Sequence, residues 1–207
     1  MGKITSIKPQ KNKKRVNVFI DNKYAFAMPL ETYVKSKIKV GDELTATQQT
    51  RVANKATTRT LYNALLNYSS LRPRSEYEIN SWLKKKGIPS KTSNKFKSKL
   101  INLQLLNDHK FATWWINQRN EFRPRSMKHL RSELLAKRIN LSIIKEALQE
   151  TKVDEISSAK KLFIKKSKQL AKLDPKTRQR KIIQYLEAKG FSYETVSKLI
   201  DHLRPSE

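Results

Sequence analysis

The stretch Arg72-Pro73-Arg74-Ser75 recurs as Arg123-Pro124-Arg125-Ser126, an offset of 51 residues (72 to 123). The same offset aligns three apolar pairs, Ile79 with Leu130, Leu83 with Leu134, and Ile88 with Ile139. A third and weaker copy keeps this apolar spacing at Ile182, Leu186 and Phe191 but lacks the Arg-Pro-Arg-Ser text. Self-similarity at a fixed period of this length is the signature of a repeat architecture.

Each copy divides into helical segments, which in the first copy are predicted at residues 53–70, 75–86 and 90–104. Ser75 followed three residues later by Glu78 predicts a capping box at the start of the second helix. In the third copy the same place is taken by Asp174-Pro175, an N-cap followed by a proline in the first helical position.

Glycine ends the second helix in two of the copies, at Gly87 and Gly190. A left-handed residue ends a helix there without a Cβ clash. The middle copy has Arg138 at this position. Either Arg138 carries a strain of about 1 kcal/mol or the turn is built differently, and the sequence leaves both open.

These patterns predict a mainly α protein of tandem three-helix repeats, in three copies at residues 51–107, 108–156 and 157–207. A unit of this size buries little apolar surface alone, so we expect the copies to pack in line as an elongated, curved array.

Residues 1–50 show a different pattern, which predicts a small N-terminal β-hairpin extension. Residues 15–20 and 24–28 are strand-like runs, separated by the polar turn Asp21-Asn22-Lys23. Residues 3–8 are predicted to form a third strand and residues 30–36 a short helix.

Composition limits the function. The chain has 45 Lys and Arg against 18 Asp and Glu, a net charge of +27, which indicates a polyanionic or acidic partner. It has no cysteine, which excludes disulfides, thiolate metal sites and a cysteine nucleophile. There is no glycine-rich phosphate loop, no zinc or nucleophile–base signature, and no apolar run of roughly 18 residues. We therefore expect a monomeric cytoplasmic protein that is not an enzyme and has no cofactor, no metal site and no membrane contact.

The positive charge is uneven, with net values of +6, +10, +3 and +8 for residues 1–50, 51–107, 108–156 and 157–207. The two more basic repeats supply most candidates for phosphate or partner binding: Arg72, Arg74, Lys84, Lys85 and Lys86 in the first, and Lys176, Arg178, Arg180 and Lys181 in the third. The alternative for any single lysine is a solvated helix face.

Arg123 and Arg125 complete the candidate set, because each Arg-Pro-Arg-Ser element places two guanidinium groups beside a helix start. That arrangement suits carboxylates or phosphates. The competing interpretation is a turn in which proline fixes the chain entry and serine caps the helix. Nearby, Phe111 and Trp115 are predicted to be core residues rather than surfaces on which bases stack.

Several motifs follow one another in a set order: Leu61-Tyr62-Asn63-Ala64-Leu65-Leu66-Asn67-Tyr68, Lys86-Gly87-Ile88-Pro89, Leu105-Leu106-Asn107-Asp108 and Lys189-Gly190-Phe191-Ser192. Together with the two Arg-Pro-Arg-Ser elements, they resemble the RecX family over about residues 55–203. The resemblance implies a regulator that lodges in the groove of a RecA filament on single-stranded DNA. It would inhibit ATP hydrolysis, strand exchange and co-protease activity, and so modulate recombination, DNA repair and the SOS response.

Two departures from the family pattern weaken claims about particular contacts: the third copy lacks the Arg-Pro-Arg element, and Asn107 stands where an acidic residue is common. The main rival interpretation is a basic helical protein that binds nucleic acid directly. A helix-turn-helix transcription factor is a third, but the repeated motif marks out no single reading helix.

Overall fold

The computed structural model describes residues 1–203, with side chains up to Asp201, so residues 204–207 of the predicted third repeat lie outside it. The strands are β1 (Gly2–Pro9), β2 (Arg15–Ile20), β3 (Lys23–Pro29) and β4 (Glu43–Leu44). The helices are α1 (Leu30–Ser36), α2 (Ala46–Ser70), α3 (Glu76–Lys85), α4 (Ser90–Asn102), α5 (Asp108–Phe122), α6 (Met127–Ala136), α7 (Leu141–Glu150), α8 (Glu155–Gln169), α9 (Pro175–Ala188) and α10 (Tyr193–Leu203).

The strands form one antiparallel sheet in the order β3-β2-β1-β4. Alternation along β2 buries Val16, Val18 and Ile20, which join Ile4 and Met28 in a small core. The turn between β2 and β3 places Asp21 and Asn22 at positive φ, as a two-residue hairpin loop requires. The predicted hairpin, third strand and short helix are confirmed, and the short β4 was not predicted.

By its internal contacts the chain divides into two compact units, Met1–Leu71 and Arg72–Glu207. Helix α2 belongs to the first unit, where Ala56 and Val52 join the core beneath the sheet. It begins seven residues before the predicted residue 53 because a capping box of Thr45 and Gln48 starts it at Ala46. The predicted repeat boundaries stay a prediction.

Helices α5–α7 and α8–α10 each enclose a separate apolar core. The first contains Phe111, Ile116, Leu130, Leu134 and Ile144, and the second Ile182, Leu186, Phe191, Val196 and Leu199. The aligned apolar positions that defined the repeat are therefore the positions that are buried. The prediction of a mainly helical fold built of three-helix domains is confirmed.

The helix ends also follow the repeat. Gly87 and Gly190 have φ of 64° and 81°, and Arg138 has φ of 58°. The strained alternative for Arg138 is thus the correct one. Its guanidinium carbon lies 4.9 Å from the Tyr77 ring centre, a contact that offsets part of the cost.

Candidate functional site

The first Arg-Pro-Arg-Ser element closes around a buried carboxylate. Arg72 donates two hydrogen bonds to Glu78, at 2.9 and 3.1 Å, and Arg74 Nη1 lies 4.0 Å from the same side chain. Lys137, from the following repeat, donates a third bond at 2.8 Å. Glu78 is only 9% exposed, so these cations are what allow its charge to be buried.

Two opposing influences act on the pKa of Glu78. Burial is the largest single influence and would raise the pKa, but the hydrogen bonds and charges of Arg72 and Lys137 together outweigh it and lower the pKa. The predicted capping box is half present, because Ser75 Oγ accepts a bond from the Glu78 amide while the Glu78 carboxylate turns to the cations. Arg72 and Arg74 are therefore engaged within the chain.

The second element uses a different acid for the same purpose. Glu133 accepts a hydrogen bond from Arg119 Nε at 2.6 Å and one from the Trp115 indole at 2.8 Å, and Arg125 Nε lies 3.5 Å away. Arg123 is exposed and makes no ion pair with any described residue. Arg123 is thus the candidate of the second element that stays exposed, whereas Arg125 lies against Glu133.

The aromatic residues of α5 lie beside this cluster. Phe111 is fully buried, which confirms its predicted place in the core, whereas Trp115 is half-buried at the edge of that core. The Arg119 guanidinium carbon lies 4.3 Å from the Trp115 ring centre, and that of Arg72 lies 5.3 Å from the Trp114 ring centre. Arginines therefore cover one face of each indole.

The repeats are joined by carboxylates that the sequence analysis did not single out. Asp108, the first residue of α5, accepts a 2.8 Å bond from the Glu76 amide at the start of α3. Glu155, the first residue of α8, accepts a 2.6 Å bond from the Met127 amide at the start of α6. At both joints an acid in the first position of one helix, α5 or α8, caps an earlier helix, α3 or α6, and an acid in the first helical position was the available signal.

Burial affects one of these joints directly. Burial raises the pKa of Asp108, and the negative charge of Glu76 raises it further. The hydrogen bond from the Glu76 amide lowers the pKa, but by less than burial raises it.

At the next joint, Ser126 Oγ also donates a 2.9 Å hydrogen bond to the carbonyl oxygen of Lys189. The end of α9 therefore lies directly against the start of α6.

The remaining candidates are exposed or half-exposed, and none of them forms an ion pair with a residue that the structure describes: Lys84, Lys85, Lys86, Lys176, Arg178, Arg180 and Lys181. Lys84 lines a groove of about 510 Å³ whose other lining residues, two of them acids, are Glu76, Tyr77, Asn80, Ser81, Asp108 and Arg138. Lys176 and Arg180, one helical turn apart, line a smaller groove of about 250 Å³ on α9.

Helix dipoles distinguish the two basic groups. Lys84 and Lys85 occupy the last turn of α3, where a cation is favoured by about 0.3–1 kcal/mol. Lys176 and Arg178 occupy the first turn of α9, where the helix dipole disfavours a cation by a similar amount. The fold itself accounts for the lysines of α3, whereas the α9 cations carry an electrostatic cost that the N-cap Asp174, which accepts a 2.9 Å bond from the Thr177 amide, offsets only in part.

Other kinds of site find no support in the part of the chain that is described. No group of three His, Asp or Glu side chains could hold a metal ion among these residues. No helix within them is both long and apolar enough to cross a membrane.

Two family models match the chain, the regulatory protein RecX N-terminal domain at residues 2–45 and the third three-helix domain of RecX at residues 154–200. The regulatory protein RecX of Bacillus licheniformis is 32% identical over 199 residues, covering 95% of this chain and 76% of that protein. The chain belongs to the RecX family.

Other RecX proteins agree with this assignment, which confirms the family predicted from the sequence. The regulatory protein RecX of Bacillus subtilis is 31% identical over 202 residues, or 97% of this chain and 76% of that relative. A crystal structure of a regulatory protein RecX matches with a TM-score of 0.64 and 28% identity, over 97% of this chain and 100% of its own. RecX from Lactobacillus salivarius matches with a TM-score of 0.61 and 28% identity, over 70% of this chain and 96% of its own.

Proposed function

We propose that this RecX-family protein binds the RecA filament in its groove and inhibits ATP hydrolysis, strand exchange and co-protease activity. It would thereby limit homologous recombination and the SOS response, as a cytoplasmic monomer without catalytic activity of its own. Membership of a family of regulatory proteins supports the regulatory role. The single structural observation that carries the proposal is the group of α9 cations without acidic partners among the described residues.

The α9 group consists of Lys176, Arg178, Arg180 and Lys181. None of its members forms an ion pair with a residue that the structure describes, and two of them stand in the first turn of the helix, where the dipole disfavours a cation. A partner that supplies carboxylates or phosphates to this surface gains their full attraction. By contrast, Arg72, Arg74 and Arg125 would first have to leave Glu78 or Glu133, so we propose them as residues that shape the interface rather than contact the partner.

The experiment measures RecA ATPase on single-stranded DNA while the full chain is titrated in. Reversal of the α9 group to glutamate is expected to raise the concentration for half-inhibition at least tenfold. The matched control reverses four exposed lysines of the same repeat, Lys160, Lys165, Lys168 and Lys172, and so changes the net charge equally. The control should stay within about threefold of the parent. Equal inhibition by all three proteins would refute the proposal.

A second candidate function is direct binding of nucleic acid, which the net charge of +27 favours. The amount of protein needed separates the two. A filament regulator suppresses the ATPase well below the amount that coats the DNA, whereas a competitor for DNA requires coating amounts. On bare single strands, phosphate contacts predict an affinity that falls steeply with salt, with a slope of about 0.7 per neutralised phosphate.

A further inference from the structure

The outward face of the N-terminal sheet carries an aromatic pair that lies outside the core of this unit. Strand β2 is interior to the sheet, and its inward residues fill the core against α2. Phe19 points to the opposite face, belongs to no described core, and stays half-buried. Its cross-strand partner Tyr24 on β3 is 60% exposed. The two ring centres are 6.0 Å apart, in an edge-to-face arrangement.

Polar and cationic groups surround these rings. The Lys8 ammonium lies 5.5 Å from the Phe19 ring centre, and Lys8 pairs across the sheet with Asn17. Asn17 in turn accepts a 2.8 Å hydrogen bond from the Gln10 side chain. The two rings therefore form a small apolar patch within a polar surface. This patch is too small to be the centre of a protein interface, but it is large enough for one or two planar rings to stack on it.

The adjoining β1–β2 turn extends the positive charge. Lys11, Lys13 and Lys14 are exposed on this turn. Two backbone hydrogen bonds close it, from the Gln10 amide to the Arg15 carbonyl at 2.9 Å and from the Lys13 amide to the Gln10 carbonyl at 2.8 Å. None of these lysines, nor Lys8, has an ion-pair partner among residues 1–201.

Acidic groups are scarce here. Residues 1–29 contain seven Lys or Arg and a single acid, Asp21, giving +6. Asp21 is already engaged by the Lys3 amide at 3.0 Å. The next acid along the chain, Glu31, is held by Lys35 and Arg59, whose hydrogen bonds and charges lower its pKa to about 2. The surface around Phe19 and Tyr24 is therefore left with an unneutralised positive charge.

We propose that this sheet face is a binding platform for single-stranded nucleic acid. Unpaired bases stack on Tyr24 and Phe19, while Lys8 and the lysines of the β1–β2 turn contact the phosphates. An exposed tyrosine and a half-buried phenylalanine bordered by lysines suit a single strand, because its unpaired bases can stack on the rings while its phosphates contact the lysines. A duplex hides those faces, so the platform discriminates against it. This site lies in the first compact unit and goes beyond the proposed regulation of RecA.

The test measures binding of the full-length chain to fluorescent oligo-dT by anisotropy, without RecA, together with oligo-U and a duplex of equal length. Tyr24→Leu and Phe19→Leu are each expected to weaken single-strand binding about tenfold, because an aliphatic side chain cannot stack. The matched control is Tyr193→Leu, which removes a tyrosine that is 78% exposed on α10, and it should stay within twofold. Circular dichroism checks that each variant is folded.

The charge and the rings have separate readouts. Substitution of Lys11, Lys13 and Lys14 by glutamine should reduce the slope of log affinity against log salt while preserving the preference for single strands over duplex. The Tyr24 and Phe19 variants should do the reverse. If Tyr24→Leu and Phe19→Leu bind oligo-dT like the parent, or if the parent binds duplex as tightly as single strand, the proposal is overturned. An acidic peptide that displaces oligo-dT equally from the parent and Tyr24→Leu would also overturn it. RecA inhibition is measured separately, so failure here leaves the proposed function standing.

Discussion

Replacement of Gly190 by alanine should test the joint between the second and third repeats more directly than any other single change. A Cβ atom at this position would lie 2.7 Å from Ser126 Oγ and 3.2 Å from the His129 ring. Ser126 Oγ cannot move away without weakening its hydrogen bond to the Lys189 carbonyl and its capping bond from the His129 amide. Gly87 provides the control, because it also has positive φ but a Cβ there would meet no atom within 4 Å.

The expected magnitude follows from this difference. Both substitutions carry the left-handed penalty of about 1 kcal/mol, so that contribution cancels in the comparison. Gly190→Ala additionally loses most of a hydrogen bond, about 1 kcal/mol, and of an N-cap, about 1 kcal/mol. Its free energy of unfolding should therefore fall by about 2 kcal/mol more than that of Gly87→Ala.

Urea unfolding followed by far-ultraviolet circular dichroism measures both changes. The same pair should be repeated with Ser126→Ala present, since removal of Oγ opens space for the new methyl group. In that background the excess cost of Gly190→Ala should shrink to within about 0.5 kcal/mol. Equal destabilisation by the two glycine substitutions in the parent chain would show that α9 does not approach α6 as closely as described.

Two further substitutions, and their response to pH and salt, address other joints. Glu78→Gln should cost about 2 kcal/mol in urea unfolding at pH 7, less than a fully buried pair because Arg72 and Lys137 stay partly in water. Folding lowers the pKa of Glu78, so the ionised carboxylate stabilises the folded protein above pH 4.5, its pKa in the unfolded chain. This stabilisation is lost as the pH falls through the lower pKa of the folded state. If the difference in unfolding free energy between the parent and Glu78→Gln persists unchanged in strong acid, the assignment is contradicted. Glu155→Ala should cost about 1 kcal/mol through loss of the cap on α6, measured against Glu146→Ala, which should be neutral within about 0.5 kcal/mol. Salt should leave the stability costs of Glu78→Gln and Glu155→Ala largely unchanged, while it weakens binding to polyanions. If the cost of Glu155→Ala disappears in about 0.5 M salt, the residue acts through surface charge instead.

Much of the helical part could be predicted because the apolar positions that recur in each repeat are the positions that are buried. Leu83, Leu134 and Leu186 occupy one aligned position, and all are buried. This agreement between sequence and burial arises because the spacing of apolar residues on one helix face depends only on neighbouring residues. The start of α2 was missed although Thr45 and Gln48 supply a capping box, because the polar residues after them show no apolar periodicity.

The candidate site was less accessible from sequence. The Lys137–Glu78 bond joins residues 59 positions apart, and nothing local selects that pair. It depends on how one repeat is offset against the next, which the repeat length alone does not determine. Arg72 and Arg74, by contrast, turn toward Glu78, which lies six and four residues later in the same repeat, whereas Lys176 and Arg180 remain outside.

Most of the positive surface charge of the protein is not balanced by acidic side chains on the same surface. With only 18 acidic side chains, the chain assigns Glu78, Glu133, Asp108 and Glu155 to its own helix junctions. Too few are left to neutralise the outer surface, so two copies approaching in solution repel each other. Close spacing of several copies therefore requires a partner that supplies negative charge.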